Sequence, residues 1–339
     1  MTVLVTGGAG YIGSHMAHAL LDRGERVVVV DDLSTGLASL IPPRAVFVQG
    51  DVGDRALTER LLKDHAVDAV IHFAGSIVVP ESVSQPLRYY RNNTSAARSL
   101  IEASVDCGVG HFIFSSTAAV YGTLDGRPAT EEMPTAPDSP YGRSKLMVEW
   151  MLQDASAAHP QMQHMALRYF NVAGADPGGR TGQSGVNATH LIKRAVQVVL
   201  GKHTQLDIFG TDYETPDGTG VRDYIHVTDL AHAHLLALDA LRGGARSRIY
   251  NCGYGRGSSV KEIVRAVEAV IGEPLPVRDG PRRPGDPAVI VADPSRIKAE
   301  LGWQPQHDDL AGIIASALAW ERRLHNGWAE RAPDPQRAT

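Results

Sequence analysis

The sequence predicts an α/β fold, a doubly wound parallel sheet with a smaller, interleaved α/β lobe. Short apolar runs alternate with longer amphipathic stretches through the first half of the 339 residues. The runs are apolar throughout rather than at every second position, which is the pattern of strands buried on both faces. The first run breaks into a glycine-rich turn that opens a helix. Strands of this kind, joined by helices, form a parallel sheet covered on both sides.

The elements follow in order. Thr2–Thr6 is a strand, residues 10–23 are a helix closed by Gly24, and Arg26–Asp31 is a near-continuous run of valines. Residues 45–48, 69–73 and 111–115 continue the strands, and 166–170 and 248–251 return to the same sheet. Residues 173–186, 212–220 and 273–287 are rich in Gly, Pro and Asp and read as irregular loops. Long ordered loops in a compact protein usually carry binding. A chain of this length exceeds one compact core. The division expected is therefore a nucleotide-binding domain over residues 1–170, with 221–252 returning to it. A substrate lobe takes 171–220 and 253–325, and a polar tail takes 326–339.

The formal net charge is −5, which argues against a nucleic-acid or anionic-membrane partner. A phosphate-bearing small ligand remains compatible, because helix N-termini supply local positive potential. Cys107 and Cys252 are the two cysteines, far apart and without metal-ligand spacing, so free thiols and no metal site are expected. The chain opens directly on a strand, and no apolar run reaches the roughly 20 residues of a membrane helix, so a cytosolic enzyme is expected.

The turn Gly7-Gly8-Ala9-Gly10-Tyr11-Ile12-Gly13 places glycines at G-x-x-G-x-x-G spacing between a strand and a helix. Glycines let the backbone approach a pyrophosphate, and the helix N-terminus faces it with free N–H groups. This is the dinucleotide-binding turn of a Rossmann sheet. Asp31 ends the second strand, where a carboxylate accepts from ribose hydroxyls. With Asp32 beside it and no arginine, the pair repels a 2′-phosphate, so NAD rather than NADP is the expected cofactor. Asp51 stands after the third strand, either to meet the adenine or to cap the following helix.

Tyr141 and Lys145 form Y-x-x-x-K, and residues four apart share one helix face. Bringing a phenol from about 10 to about 7 takes roughly 4 kcal/mol, which one cation about 4 Å away supplies at an effective dielectric near 20. Lys145 is expected to be one such cation, and the nicotinamide ring of NAD⁺ another. Thr117, in Ser115-Ser116-Thr117 at a strand end, is placed to bond both a substrate hydroxyl and the Tyr141 phenol. Its alternative role is a local backbone cap.

On these motifs the chain resembles the extended short-chain dehydrogenases, and within them the sugar-nucleotide epimerases acting at C4 of UDP-hexoses. The resemblance runs over nearly the whole length, through residues 3–15, 72–75, 115–122, 139–149, 167–171, 217–227 and 281–286. It implies that Tyr141 takes the proton of the sugar 4-hydroxyl while hydride passes to bound NAD. The 4-keto sugar then turns over and hydride returns to its other face. For the cofactor it implies contacts from Gly7, Gly10, Tyr11, Ile12, Gly13, Asp31, Asp32, Asp51 and Val52, then from Phe73, Ala74, Gly75, Asn92, Ser115, Tyr141, Lys145 and Phe170. For the UDP-sugar it implies Thr117, Tyr141, Asn171, Phe209, Arg222, Arg283 and Asp286, the arginines otherwise being solvated surface charges. It also implies a homodimer through helices at 141–155 and 93–107, with Leu146, Val148, Met151, Leu152, Leu100 and Ile101 facing the partner.

Two positions depart from parts of the family. Ile77 stands where some members have a lysine that reaches the cofactor. Val289 stands where some have a tyrosine beside the sugar, and its smaller volume implies room for an N-acetyl group. The competing readings are an epimerase of UDP-glucuronate or a UDP-pentose, a sugar-nucleotide dehydratase, and a redox-sensing protein that holds NAD only as ligand. Dehydratases resembling this chain follow the threonine with Asp-Glu, and here Ala118-Ala119 follow. A sensor needs no Thr117, Tyr141 and Lys145 together.

Overall fold

The structure is a computed structural model that describes residues 1–124, 126–185, 189–283 and 286–327. Along the chain, β1 (Thr2–Thr6), α1 (Tyr11–Asp22), β2 (Arg26–Asp31), β3 (Val46–Gln49), α2 (Arg55–Asp64) and β4 (Ala69–His72) alternate. Then come α3 (Val79–Ser84), α4 (Pro86–Tyr89), a π-helical turn (Tyr90–Ser95), α5 (Ala96–Asp106), β5 (His111–Thr117), α6 (Pro140–Ala158) and β6 (Gln163–Tyr169). Beyond them lie β7 (Asn171–Ala173), α7 (Leu191–Val199), β8 (Leu206–Phe209), β9 (Val221–Arg222), β10 (Tyr224–His226), α8 (Val227–Arg242) and β11 (Arg248–Cys252). The last elements are β12 (Ser258–Ser259), α9 (Val260–Ile271), β13 (Val277–Gly280), β14 (Val289–Ile290), α10 (Ser295–Leu301) and α11 (Leu310–His325).

Seven strands form one parallel sheet in the order β11-β6-β5-β4-β1-β2-β3. Alternation along each strand divides the core into two layers. Val3 and Val5 of β1 face Met16, Leu20, Leu230 and Leu238 of α1 and α8, while Leu4 faces the layer of Leu57, Leu61, Leu100 and Val148. Residues on both faces of β1 and β4 are buried, which accounts for their continuous apolar runs. Strand order reverses between β1 and β4, so a crevice opens at their carboxyl ends, where open α/β sheets bind ligands.

The remaining elements pack as small sheets and helices. β10 pairs with β7, β9 lies between β12 and β14, and β13 pairs with β8. The segment 273–287, expected to be irregular, therefore contains a strand. Val277-Arg278-Asp279-Gly280 is largely exposed and polar, so no apolar alternation marks it; an Arg278–Asp207 ion pair crosses to β8 at 2.8 Å instead. The strand expected over 111–115 runs two residues further, so Thr117 is itself its last residue. Most of the tail read from residue 326, together with Val186, Pro284 and Gly285, lies outside the described residues. Among the described residues no helix is long and apolar enough to cross a membrane.

Leu146, Val148, Leu152, Leu100 and Ile101 are buried inside the single chain, where they cover the sheet rather than face a partner. An amphipathic helix pattern reads the same for either use. The apolar side chains left toward solvent on α6 are Met147, Trp150 and Met151, of which Trp150 is 52% exposed.

Five histidines, His15, His72, His164, His226 and His234, are buried. Burial lowers their pKa values to about 4, and to about 3 for His72. The unfolded chain binds these protons near pH 6.5 and the folded chain does not, so stability falls as pH drops from about 6.5 toward 4. Thermal unfolding should show a steep loss of Tm between pH 7 and pH 5. A Tm that is flat across that range would mean that these imidazoles titrate normally.

Candidate active site

The site gathers at the carboxyl ends of β1, β2, β4, β5 and β6. β1 ends at Thr6, and the chain turns through Gly7, whose φ is +68°. A Cβ there would sit 2.7 Å from the Ala74 nitrogen, so the turn closes against the β4 loop only with glycine. Gly10 starts α1 without a side-chain cap, and no acidic residue occupies the first helical turn. The N–H groups of that turn are thus available to a pyrophosphate, and Tyr11, Ile12 and Gly13 are its residues. Asp31 is buried at the end of β2, where its carboxylate accepts from Ala9 and Leu33 N–H at 2.9 Å each. Burial raises its pKa, and the two backbone bonds pull in the other direction. Asp32 points to solvent and caps Ser34.

Asp51 accepts from Gly53 N–H at 2.8 Å, and the helix cap is Asp54, which bonds Leu57. The alternative of Asp51 as helix cap is therefore ruled out. Val52 is buried beside it, Phe73 packs on the core with its ring 5.0 Å from His234, and Ala74 N–H bonds the Thr6 hydroxyl at 3.3 Å. Gly75 approaches α6 closely: a Cβ there would lie 2.8 Å from Asn93 Oδ1 and 3.9 Å from the Lys145 ammonium.

α6 begins at the Ser139 cap with Pro140 in its first turn, which brings Tyr141 to the mouth of the sheet. One turn on, the buried Lys145 donates to the Ser115 carbonyl at 2.9 Å and lies 5.0 Å from the Phe114 ring centre. Burial lowers the Lys145 pKa to about 8. The Tyr141 phenol is raised from its ordinary value by burial, and the Thr117 hydroxyl draws it partly back. Lys145 and the nicotinamide ring are the two cations expected to lower the phenol; in the chain without cofactor, burial outweighs the lowering. The i, i+4 spacing shows a shared face, but it does not show that both groups leave water. Thr117 serves in two ways: its oxygen accepts from Ala119 N–H at 3.1 Å as a local cap, and its own proton stays free to turn toward Tyr141. Ser115 bonds Tyr169 through its hydroxyl.

On the substrate side, Asn171 starts β7 directly after Phe170, and its N–H bonds the Asp223 carbonyl at 3.0 Å. Arg283 stacks on Phe209 with its guanidinium 3.9 Å from the ring centre. Arg222 forms an ion pair with Asp286 and donates to the Val221 carbonyl at 2.8 Å. Arg222 is therefore paired rather than solvated. Val289 and Ile290 are neighbours on β14 and point to opposite faces. Ile290, with Ala292, belongs to the cluster that contains Ala118 and Phe170, next to Thr117 and Asn171, whereas Val289 is on the other side. Of the two, Ile290 is the one packed at the catalytic end. A two-residue strand gives no alternation from which to read this.

Two groups of residues escaped the sequence reading. Asn93, beside the expected Asn92, is buried; it accepts from Ser76 N–H at 2.7 Å and donates to the Ser144 hydroxyl at 3.0 Å. It joins the cofactor loop to α6, and the π turn that carries it is of a kind frequent at functional sites. His190, bonded to Gln183 at 2.7 Å, and Lys193 line a cavity behind Asn171 and Tyr224. Lys193 lies on α7 and His190 at its N-cap, and neither stands in a motif that the sequence singled out. Among the described residues no group of three or more His, Cys, Asp or Glu sits as a metal site.

The sequence matches the NAD dependent epimerase/dehydratase family over residues 3–253. It is similar to the UDP-glucose 4-epimerase of Azospirillum brasilense, 59% identical over 95% of this chain and 92% of that one. The fold is similar to the crystal structure of the UDP-glucose 4-epimerase from Stenotrophomonas maltophila with bound NAD and formylated UDP-arabinopyranose. That likeness has a TM-score of 0.93 and 43% identity, and covers 96% of this chain and 99% of that one. It is also similar to the UDP-Glc/GlcNAc 4-epimerase of Campylobacter jejuni, with a TM-score of 0.83, 46% identity and coverage of 95% and 99%. The chain belongs to the NAD dependent epimerase/dehydratase family.

Proposed function

We propose that this chain catalyses reversible C4 epimerisation of a UDP-hexose, interconverting UDP-glucose and UDP-galactose with tightly held NAD. The observation that carries the reading is the convergence of Thr117, Tyr141 and Lys145 at one end of β5 and α6, with Ala118 and Ala119 following. A dehydratase needs an added acid and base there, and alanines supply neither.

The glycine turn, the uncapped first turn of α1 and the Asp31 carboxylate fit NAD. Bound NAD⁺ supplies the acceptor and donor of hydride at C4. Tyr141 takes the 4-hydroxyl proton and returns it. Thr117 orients that hydroxyl and the phenol. Lys145, anchored on Ser115, would contribute positive potential beside the phenol and help hold the cofactor. Gly7, Gly10–Gly13, Asp31, Asp32, Asp51, Val52, Phe73, Ala74, Gly75, Asn92, Ser115 and Phe170 make up the rest of the cofactor site. Asn171, Phe209, Arg222, Arg283 and Asp286 hold the nucleotide, in a lobe formed by 171–220 and 253–325 against the domain of 1–170 and 221–252. Arginines suit a diphosphate through their planar forks. The free thiols Cys107 and Cys252 accord with a reducing cytosol.

The reading is tested with the purified holoenzyme. It should convert UDP-galactose to UDP-glucose and release NAD(H) on denaturation. Tyr141→Phe should lower kcat by about 10²–10⁴-fold while still releasing NAD(H). A variant that keeps most of its kcat removes the phenol from the mechanism.

Substrate breadth is assigned to Ile290 in place of Val289. Isoleucine leaves space that a tyrosine would fill, so N-acetylated UDP-hexoses are accepted as well. Overpacking costs about 1–3 kcal/mol. Ile290→Tyr should therefore lower kcat/KM for UDP-N-acetylglucosamine by about 10- to 100-fold relative to UDP-glucose. Equal losses on both sugars would show that position 290 does not read the 2-substituent.

The Met147, Trp150 and Met151 stripe supports a homodimer through α6. Light scattering at micromolar concentration should give twice the chain mass, and Trp150→Glu should halve it. A monomer mass for the unaltered chain would reject the dimer.

A further inference from the structure

A buried charge pair beneath Tyr141 and Lys145 has no part in the chemistry proposed above. Glu149 and Arg168 are 1% and 3% exposed. Arg168 Nε donates to Glu149 Oε1 at 3.0 Å and Nη2 to Oε2 at 2.6 Å, so the fork takes both carboxylate oxygens. Its Nη1 donates to the Tyr121 hydroxyl at 3.0 Å, and the Tyr121 ring lies 4.9 Å from the guanidinium carbon. Burial opposes the charge of Arg168, and the bonds to Glu149 more than restore it, so its pKa is raised. Both residues lie in segments singled out by motif, 139–149 and 167–171, that the proposed mechanism leaves unused.

The position of Glu149 poses an electrostatic problem. It stands four residues after Lys145 on the same face of α6, the spacing at which oppositely charged side chains on a helix ordinarily pair. The two ends also meet consecutive residues of one strand: the Lys145 ammonium bonds the Ser115 carbonyl at 2.9 Å, and Glu149 accepts from the Ser116 hydroxyl. Lys145 nevertheless bonds a neutral carbonyl, because the Glu149 carboxylate is already held from the other side, by β6. We propose that Arg168 is a positioning residue that binds Glu149 at both oxygens and so keeps that carboxylate off Lys145, leaving the ammonium free to act on the Tyr141 phenol.

The other groups facing Lys145 and Tyr141 do not take this role. His72 on β4 is buried, and burial lowers its pKa to about 3, which leaves it neutral. Tyr169 on β6 is bonded to the Ser115 hydroxyl, and burial raises the Cys252 thiol on β11. Tyr89 on α4 meets the Tyr141 ring edge-on at 6.5 Å and bonds Glu81 of α3, which also pairs with Arg88. On α5, Arg98 and Glu102 pair with each other at the surface. The π turn contributes the uncharged Asn93, and the turn after β5 contributes Tyr121, bonded to Arg168.

The inference rests on the epimerase reading, in which phenolate is the base, so kcat rises with pH through the phenol's pKa. Without Arg168 the carboxylate draws Lys145 away and adds negative charge, which raises that pKa. Without the Glu149 charge, Arg168 is an added cation and lowers it. Eight residues along a helix span about 12 Å, and at an effective dielectric near 20 a charge at that distance is worth about one pKa unit.

The experiment is the pH profile of kcat for UDP-galactose with the NAD-loaded enzyme. Arg168→Met should move the acidic limb up by about one pH unit, with kcat about tenfold lower below the limb and KM unchanged. Arg168→Lys should restore most of the shift, and Glu149→Gln should move the limb down. A purely structural pair would lower kcat in all three variants without moving the limb in opposite directions. An unmoved limb in Arg168→Met, or equal displacement of both charge variants, overturns the inference. If Arg168→Met does not fold, Glu149→Gln decides: a limb at lower pH supports the inference, and one unmoved or higher overturns it. An unaltered enzyme that fails to interconvert the two sugars refutes the epimerase reading itself.

Discussion

The site depends on keeping a lysine ammonium out of water. Lys145 is almost fully buried, and a buried charge is costly unless its donors are satisfied. The ammonium rests on the Ser115 carbonyl at 2.9 Å and above the face of Phe114, and its lowered pKa, about 8, expresses what remains of the cost. A strand end is suited to this use. The β4 pairing ends opposite Phe114, so β5 runs past that neighbour from Ser115 on, and the Ser115 carbonyl is an acceptor where a charge is wanted. The neighbouring residues then fall into place by alternation, with Thr117 two positions on from Ser115 and opposite Tyr169 in register.

The same constraint extends to the cofactor side. Gly75 comes near the Lys145 ammonium because it has no side chain, and Asn93 bridges Ser76 of that loop to Ser144 of α6. Hydrogen bonds of 2.7–3.0 Å thus join the loop after β4, the π turn, α6 and β5. The substrate elements are tied less directly, through short strands such as β7 paired with β10 and β9 held between β12 and β14.

Much of this was legible in the residues. The continuous valines of β2 announced a strand buried on both faces, and Gly7 to Gly13 announced the turn that follows β1. What the sequence conceals is environment. Tyr141 and Lys145 share a face by spacing alone, yet whether the phenol is raised or lowered depends on burial, which comes from α3, α4 and β6, remote in sequence. Leu146, Val148 and Leu152 repeat at helical spacing whether they cover a sheet or a partner. β13 is polar because it is exposed, and it pairs through Arg278 and Asp207 rather than by apolar contact. Asn93 looked like its neighbour Asn92 until the π turn separated them.

The raised phenol has a consequence for binding. In the free chain, burial raises the Tyr141 phenol and Thr117 partly offsets this. Any cation that enters beside it favours the phenolate, and by linkage the phenolate favours that cation by the same factor. Oxidised nicotinamide is cationic and reduced nicotinamide is neutral, so the protonation state of Tyr141 and the oxidation state of the cofactor are coupled. On the proposed reading, with the sugar in place, Tyr141 would gain the 4-hydroxyl proton as the cationic ring is neutralised, so the net charge of the site would be conserved. A low-dielectric site penalises changes in net charge most severely. With Lys145 buried and Tyr141 half-buried, such a site would disfavour either transfer alone, and the paired transfer would be the path of least electrostatic cost.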